Sequence, residues 1–362
     1  MNCLARRIAL MVLPLVFGIV AAPTASASLV GGTVVPLISA GAPPDSPANR
    51  VDPNTGTSPY SGVVSINIRY ANGDSFICSG TLVSKRDVIT AGHCVDSDGL
   101  GHLIDINAPG NDVRVVFNAS TIVGDPGRAI VTADSVSMNP NYQGFGNCPY
   151  VTVTDFCVND DIAVVHMNQD APTAAKIYGV FGGVVGEGTL DTLVGYGRSG
   201  DGTGYTTGPD FRIKRSGQNI MDLFDRDDEQ HFAGGPNEVW YSDFDGGGQD
   251  TFCTLFFVCT PVLANDKETN IGGGDSGGPS FLQLGGQLVL MGNNTFGGTF
   301  AGQTPGAFGT YFGGILVQPY LDYLIAATGG RITIVTQVPE PGSLVLLLVG
   351  LGAIAARRRK AA

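Results

Sequence analysis

A glycine-rich stretch near the C-terminal end of the chain holds a serine that could act as a nucleophile. The stretch reads GGGDSGGPS, and Gly274–Gly278 within it fits the pattern G-x-S-x-G. Glycine at this density indicates backbone with unusual dihedral angles or a very close neighbour. Ser276 at its centre suits acyl-transfer chemistry, although in a chain with 53 glycines the same pattern also describes a plain surface turn.

Ser276 needs a nearby base, because a serine hydroxyl is a weak nucleophile. The four histidines of the chain, His93, His102, His166 and His231, all precede this serine. In α/β-hydrolases the histidine follows the serine, so the order excludes that mechanism and leaves the order His, Asp, Ser open.

The strongest base candidate lies in the segment CSGTLVSKRDVITAGHC. There His93 follows an apolar run and is flanked by Cys94, with Cys78 sixteen positions earlier. A carboxylate beside the imidazole would hold its tautomer and stabilise the imidazolium. The segment NDDIAVVHM offers Asp161, at the start of a strand-like apolar run.

These segments resemble the motifs of the trypsin/chymotrypsin-like serine proteases. TAGHC resembles the histidine motif of that family, with Gly92 where alanine is usual, DIAVV resembles its aspartate motif, and GDSGGP matches its serine motif in full. LVGYGRSG resembles the segment that opens the second barrel, and NNTFGG resembles the strand that pairs with substrate backbone. The resemblance covers roughly residues 58–327, in the order of the family.

The resemblance implies that His93 acts as general base and then general acid, that Asp161 orients it, and that Ser276 is the nucleophile. The N–H groups of Gly274 and Ser276 would form the oxyanion hole. Asp160 could replace Asp161, but the Ile-Ala that follows favours Asp161. We expect a packing role for the strand residue His166 and assign no role to His102 or His231.

Activation in this family pairs the carboxylate before the serine, here Asp275, with a newly cut N-terminal ammonium. Leu29 in LVGG resembles such a terminus but lies far from the barrel, whereas Val51 follows Arg50 and is closer. Both candidates stay open at this point, with a slight preference for Val51.

The resemblance also places residues at the substrate. Asn270 would line the primary pocket, where a strict preference for Arg or Lys would require a buried carboxylate. The register of this loop is insecure, because Gly272 stands where cysteine is common, so Asp266 or Glu268 could intrude. The strand that pairs with substrate would contribute Thr295, Phe296 and Gly297.

The first 27 residues are typical of a signal peptide, with Arg6 and Arg7, an apolar stretch, and an A-x-A cleavage signal that ends at Ala27. Export permits disulfides, and the six cysteines after the leader allow 15 pairings. The resemblance favours Cys78–Cys94. Closeness in sequence suggests the other two pairs, Cys148–Cys157 and Cys253–Cys259.

We expect no metal or other cofactor. The acidic stretches FDRDDEQ (224–230) and DFDGGGQD (243–250) could bind calcium, but neither has a full ligand spacing, which favours solvated loops. The formal net charge is −12. Both ends that would be removed are basic, so the mature chain is more negative still and should repel nucleic acid.

The C-terminal end, VPEPGSLVLLLVGLGAIAARRRKAA, resembles a PEP-CTERM sorting tail. It combines a Pro-Glu-Pro motif, an apolar stretch (Leu344–Ala356) and a basic cluster (Arg357–Lys360). The stretch is shorter than the roughly 20 residues that span a bilayer, so we expect only transient membrane association. The resemblance implies processing by an exosortase-type enzyme, after signal peptidase, and a final place at the surface or outside of a Gram-negative bacterium.

Short strands separated by glycine- and aspartate-rich turns must position these side chains. Val64, Ile66 and Ile68 alternate with polar residues, the period of a half-buried strand, and the following Asn-Gly favours a hairpin. Helical periodicity appears only at QPYLDYLIAAT (318–328). The pattern predicts an all-β protein with a short C-terminal helix, which the resemblance sharpens to two antiparallel six-stranded β-barrels of chymotrypsin type.

The predicted organisation has five parts: a signal peptide (1–27), a pro-segment or tether without regular structure (28–57), a first barrel (58–185), a second barrel with the helix (186–330), and a linker with the sorting tail (331–362). The predicted function is a secreted serine endopeptidase that acts on protein or peptide substrates. The alternatives are an inactive surface-binding protein on the same fold, or an esterase that uses the same triad.

Overall fold

Six antiparallel strands close into a barrel in the first half of the chain. The structure is a computed structural model that describes residues 38–148 and 157–336; the predicted signal peptide, Leu29 and the sorting tail lie outside the described residues. The strands are β1 (Val63–Arg69), β2 (Ser75–Leu82), β3 (Asp87–Thr90), β4 (Asp112–Val116), β5 (Ile130–Met138) and β6 (Ala163–Met167). Their order is β1-β2-β3-β6-β5-β4, and β4 pairs with β1 to close the barrel.

The alternating pattern of β1 corresponds to its burial. Val64, Ile66 and Ile68 are at most 1 % exposed and point into the barrel. The predicted hairpin to β2 is present, and Gly73 in its turn has a φ of 95°, which glycine adopts without steric cost. The sequence therefore predicts both the strand and its partner.

The second half forms one larger sheet. Its strands are β7 (Gly179–Phe181), β8 (Thr189–Gly195), β11 (Arg215–Met221), β12 (Leu223–Arg226), β13 (Asn237–Asp243), β14 (Pro279–Leu284), β15 (Gln287–Gly298), β16 (Tyr311–Leu316) and β17 (Ile334–Val335), while β9 (Gly200–Asp201) and β10 (Gly204–Tyr205) form a separate hairpin. The antiparallel order is β11-β8-β14-β15-β16-β13-β12. Strand β7 adds parallel to β15, and β17 adds parallel to β7.

This sheet differs from the predicted second six-stranded barrel, because no backbone pairing joins β11 to β13 in the described residues. Side chains make the connection instead. Asn219 Nδ2 donates to the Asp243 carbonyl at 3.0 Å, and Ser242 Oγ donates to the Ile220 carbonyl at 2.7 Å. Hydrogen bonds from side chains to backbone thus link the two strands where a continuous ladder is absent.

In the described part of the chain, two short α-helices accompany the strands: α1 (Thr251–Phe256) and α2 (Leu321–Ala327). The second confirms the predicted C-terminal helix, and Gly329 just after it has a φ of 59°, as expected for a helix stop. The first was not predicted; Asp250 caps it by accepting the Cys253 N–H at 2.8 Å. Among the residues described, no helix has the length and apolarity needed to cross a membrane.

The segment before the barrel is more ordered than its composition suggests. Residues 38–57 contain a 3-10 turn (Pro47–Arg50) and pack against the second half. Ile38 and Ala40 are fully buried, and Arg50 forms a buried ion pair with Asp45 at 2.6 Å. The described part of the predicted pro-segment or tether therefore lies against the second half, with little regular secondary structure.

All three predicted disulfides are present, Cys78–Cys94, Cys148–Cys157 and Cys253–Cys259. One apolar cluster fills the barrel around Ile66, and another fills the second sheet around Trp240. A third, which includes Val63 and Phe281, joins the two halves. The packing fixes the relative placement of the loops that end in His93, Asp161 and Ser276.

Candidate active site

His93 lies in a 3-10 turn (Gly92–Cys94) directly after β3, next to the disulfide from Cys94 to β2. Its backbone N–H donates to Asp161 Oδ1 at 2.7 Å, and its Nδ1 lies 2.7 Å from Asp161 Oδ2. The two side chains are 6 % and 0 % exposed. A carboxylate in this position favours the tautomer with the proton on Nδ1, which leaves the lone pair of Nε2 free to accept a proton.

A neighbouring side chain explains why glycine precedes His93. A Cβ on Gly92 would lie 3.1 Å from Asp161 Oδ1, closer than most side-chain contacts. Asp161 itself precedes β6, and Asn293 Nδ2 donates to its carbonyl at 3.2 Å. The missing methyl group therefore allows the His93 turn and the Asp161 carboxylate to approach closely.

Asp160 points away from the imidazole. It has a φ of 64°, and its Oδ1 accepts a hydrogen bond from Asn139 Nδ2 at 2.8 Å. Burial, together with the charge of Glu229, raises its pKa to about 9. Of the two neighbouring aspartates, Asp161 is the one that contacts His93.

The serine loop lies against the His93 turn. The Ser276 carbonyl accepts the Ser79 N–H at 2.8 Å and lies 3.8 Å from Cys94 Sγ. Gly277 has a φ of 76°, and a Cβ there would lie 2.1 Å from Thr90 Oγ1. The glycine density of the loop thus has two causes, a left-handed backbone and contact with β3.

The catalytic hydrogen bond from serine to histidine is not formed in this structure. His93 Nε2 is buried and has no hydrogen-bond partner among the described residues, so none joins it to Ser276 Oγ. The N–H groups of Gly274 and Ser276 also donate to no protein acceptor within residues 38–148 and 157–336. These three groups could all receive a substrate, one as an acceptor and two as donors.

Phe145 packs edge-on against His93, with 5.1 Å between the ring centroids. It belongs to the loop that ends at the disulfide-bonded Cys148, and sequence reasoning did not identify it. An aromatic ring in this position limits the access of water to the imidazole. The sequence offered one signal for this contact, a bulky aromatic residue in the loop that precedes Asp161.

Asp275 is fully buried beneath the serine loop. Its carboxylate accepts the N–H of Gly197 at 2.7 Å and of Gly272 at 2.8 Å. Burial raises its pKa to about 7, although these two donors and the positive charge of Arg215 act in the opposite direction. The candidate terminus Val51 is 40 % exposed, which does not favour it as a buried partner.

The residues expected at the substrate lie in the second half, Asn270 in a loop and the other three in strand β15. Asn270 is 1 % exposed, with its Nδ2 donating to Thr310 Oγ1 at 2.9 Å and its Oδ1 without a partner among the described residues. Thr295 and Phe296 are buried within β15, whereas Gly297 is exposed. If Asn270 lines the primary pocket as the resemblance implies, its amide supplies no charge for a basic side chain.

Tyr205 is a further residue of this region that sequence reasoning missed. Its hydroxyl donates to the Ile271 carbonyl at 2.5 Å. A Cβ on Gly272 would lie 3.1 Å from its ring, and one on Gly297 would lie 3.9 Å from its hydroxyl. The ring therefore lies near both the loop that follows Asn270 and the end of β15, the two segments that carry the predicted substrate-binding residues.

The remaining histidines lie apart from this arrangement. His166 Nδ1 lies 2.7 Å from Asp87 Oδ1, and Asp87 also accepts two hydrogen bonds from Arg331. His102 pairs with the exposed Asp98. The contacts of His166 indicate a structural ion-pair network between β3, β6 and the end of the domain.

The family comparisons agree with the motifs. Residues 49–315 match the family described as Trypsin, and residues 337–360 match the PEP-CTERM protein-sorting motif. The first match covers more than half of the 362 residues. No curated protein matches the chain.

Proposed function

The chain belongs to the trypsin family of serine proteases, and we propose that it is an exported serine endopeptidase that cleaves peptide bonds through an acyl-enzyme. The observation that carries this proposal is the buried pair of His93 and Asp161, joined at 2.7 Å through both the ring and the backbone N–H of His93. A buried carboxylate held against one imidazole nitrogen makes the other nitrogen a base.

In the proposed reaction, Ser276 Oγ attacks the substrate carbonyl while its proton passes to His93 Nε2. The Asp161 carboxylate stabilises the imidazolium that forms. The N–H groups of Gly274 and Ser276 bind the oxyanion, and removal of one such donor costs about 10²–10³ in rate. His93 then gives the proton to the leaving amine, and a water molecule, activated by the same ring, hydrolyses the ester to release Ser276.

The missing contact between His93 Nε2 and Ser276 suits a precursor. We propose that the chain is made as a zymogen, that Asp275 pairs with the new terminus after cleavage, and that this pairing orders Gly274 and Ser276. The primary pocket, with Asn270 at its base, would accept an uncharged side chain, and Thr295, Phe296 and Gly297 would bind substrate backbone.

The C-terminal PEP-CTERM motif indicates export and surface sorting in bacteria. We propose that signal peptidase removes residues 1–27 and that an exosortase-type enzyme removes the tail after transient membrane association. The protease domain would then act at the surface or outside of the cell.

A fluorophosphonate probe tests the function, because it reacts with a serine only when an adjacent base activates it. The processed protein should be labelled, and Ser276→Ala should not be. The buried Ser280 provides a matched control, since Ser280→Ala should leave labelling intact. Absence of labelling in correctly processed, folded protein would refute the proposal, and turnover of simple esters without peptides would favour an esterase.

A further inference from the structure

Four carboxylates come together where the β12–β13 hairpin opens. They belong to Asp227, Asp228, Glu229 and Glu238, and one oxygen from each lies within 4.8 Å of the others. Asp228 is 0 % and Glu238 5 % exposed, while Asp227 is half-buried and Glu229 reaches solvent. Like charges this close repel one another, so the cluster requires a compensating charge or bound protons.

The surroundings of Asp228 provide a second observation that indicates a bound ligand. Both of its carboxylate oxygens are buried, and neither has a hydrogen-bond partner in the described part of the chain. Within the same ranges, no Lys or Arg forms an ion pair with any of the four carboxylates.

The geometry fits a hard divalent cation. Calcium binds six to eight oxygen ligands at about 2.3–2.6 Å, so two opposite ligands lie up to about 5 Å apart. Oxygen-only ligand sets suit calcium or magnesium rather than zinc. Calcium tolerates irregular and bidentate carboxylate geometry better than magnesium does. We propose that Asp227, Asp228, Glu229 and Glu238 form a calcium-binding site.

This site would support the segment that carries Asp161. Glu238 Oε2 accepts a hydrogen bond from Asn159 Nδ2 at 2.7 Å, and the same amide donates to the Arg226 carbonyl at 3.0 Å. Asn159 lies two residues before Asp161. A bound ion would therefore tie the hairpin to the aspartate loop. The effect on catalysis rests on the proposed function, but ion binding does not.

A second acidic group, Asp243, Asp245 and Asp250, is the main competitor for an added cation. In each group two members already have hydrogen-bond partners, since Asp227 accepts two hydrogen bonds from Gln230 and Glu238 accepts one from Asn159. In the second group, Asp243 Oδ2 accepts the N–H groups of Thr251 and Phe252, and Asp250 caps α1. The groups differ in that both oxygens of Asp228 lack a partner among the described residues, whereas only Oδ1 of Asp245 does. The test must therefore separate the two groups.

The experiment uses the full chain with Ser276→Ala, so that neither self-cleavage nor catalysis affects the result. Thermal unfolding is measured in EDTA, in CaCl₂ and in MgCl₂, and calcium binding is measured by titration calorimetry. At a calcium concentration about a hundred times the Kd, we expect a rise in Tm of about 5 °C or more. Magnesium should produce a smaller rise.

The variants decide where the ion binds. Asp228→Asn should abolish calorimetric binding and the calcium-dependent rise in Tm. It should also raise the Tm in EDTA, because it removes a buried, repelled charge, so a folding defect cannot imitate the expected result. Asp245→Asn should keep the calcium response. A response that survives Asp228→Asn, that is lost only with Asp245→Asn, or that is absent from the parent protein would overturn the proposal.

Discussion

Replacement of Asp161 by asparagine tests the geometry of the site most directly. Asparagine keeps the shape of the side chain but carries one acceptor and one donor group. If its oxygen accepts the His93 backbone N–H, its NH₂ faces Nδ1 at about the 2.7 Å that now separates Nδ1 from the carboxylate. The opposite rotamer places the NH₂ against the backbone N–H instead. In the first rotamer, the NH₂ donates to Nδ1, so Nδ1 carries no proton and the imidazole must carry its proton on Nε2.

That tautomer removes the general base, because Nε2 can then no longer accept the proton of Ser276. The expected cost is about 10⁴ in kcat, which corresponds to about 5 kcal/mol of transition-state stabilisation. KM should change much less, since Asp161 is fully buried behind His93 and does not reach substrate. The assay is steady-state hydrolysis of a peptide substrate by processed enzyme, with the variant's folding checked by thermal unfolding.

Asp160→Asn is the matched control. Its amide oxygen can still accept the hydrogen bond from Asn139 Nδ2, and asparagine tolerates the left-handed backbone at this position. We expect less than about a threefold change in kcat. The reasoning would be refuted if folded Asp161→Asn lost less than tenfold, or if Asp160→Asn lost as much as Asp161→Asn.

Two further predictions concern stability and processing. Burial raises the pKa of Asp245 to about 8 and that of Glu268 to about 9. Because the folded state then retains protons that the unfolded state releases above about pH 4, the free energy of unfolding should fall as the pH rises from 5 to 9. The Tm of the Ser276→Ala protein in EDTA measures this fall, and a Tm that rises over the range would contradict it. Ile38 is buried, and the N–H of the next residue donates to the Asn270 carbonyl at 3.3 Å. We therefore expect the mature, active enzyme to begin at Ile38. N-terminal sequencing measures this, and a mature chain that begins at Leu29 or Val51 would contradict it.

The first barrel and the motif residues could be predicted because local sequence encodes their geometry. Alternation in β1 determines which face is buried, and the glycines around Ser276 are the residues that permit its left-handed, closely packed turn. The second barrel could not be predicted in detail. The side chains of Asn219 and Ser242 link β11 to β13 in place of a backbone ladder, and a hydrophobic periodicity does not predict such side-chain bonds.

Loop side chains escaped prediction for a related reason. Phe145 lies in a loop and Tyr205 in the two-residue strand β10, where the chain path depends on long-range contacts such as the bond from Tyr205 to the Ile271 carbonyl. The acidic cluster around Asp228 escaped prediction for the same reason. In the sequence, Asp227–Glu229 is a charged run typical of a solvated loop, and it forms a partly buried cluster only when the hairpin brings Glu238 beside it.

Asp275 connects these observations to activation. It lies between Gly274 and Ser276 in the chain, so a change in the contacts of its carboxylate acts on the backbone that carries the two N–H groups expected to bind the oxyanion. In the unprocessed chain two backbone N–H groups and a more distant Arg215 are too weak to offset burial, and the pKa stays near 7. A nearby ammonium would lower that pKa and hold the carboxylate ionised. We therefore expect proteolysis at the N-terminus, rather than substrate, to supply the free energy that orders the oxyanion hole.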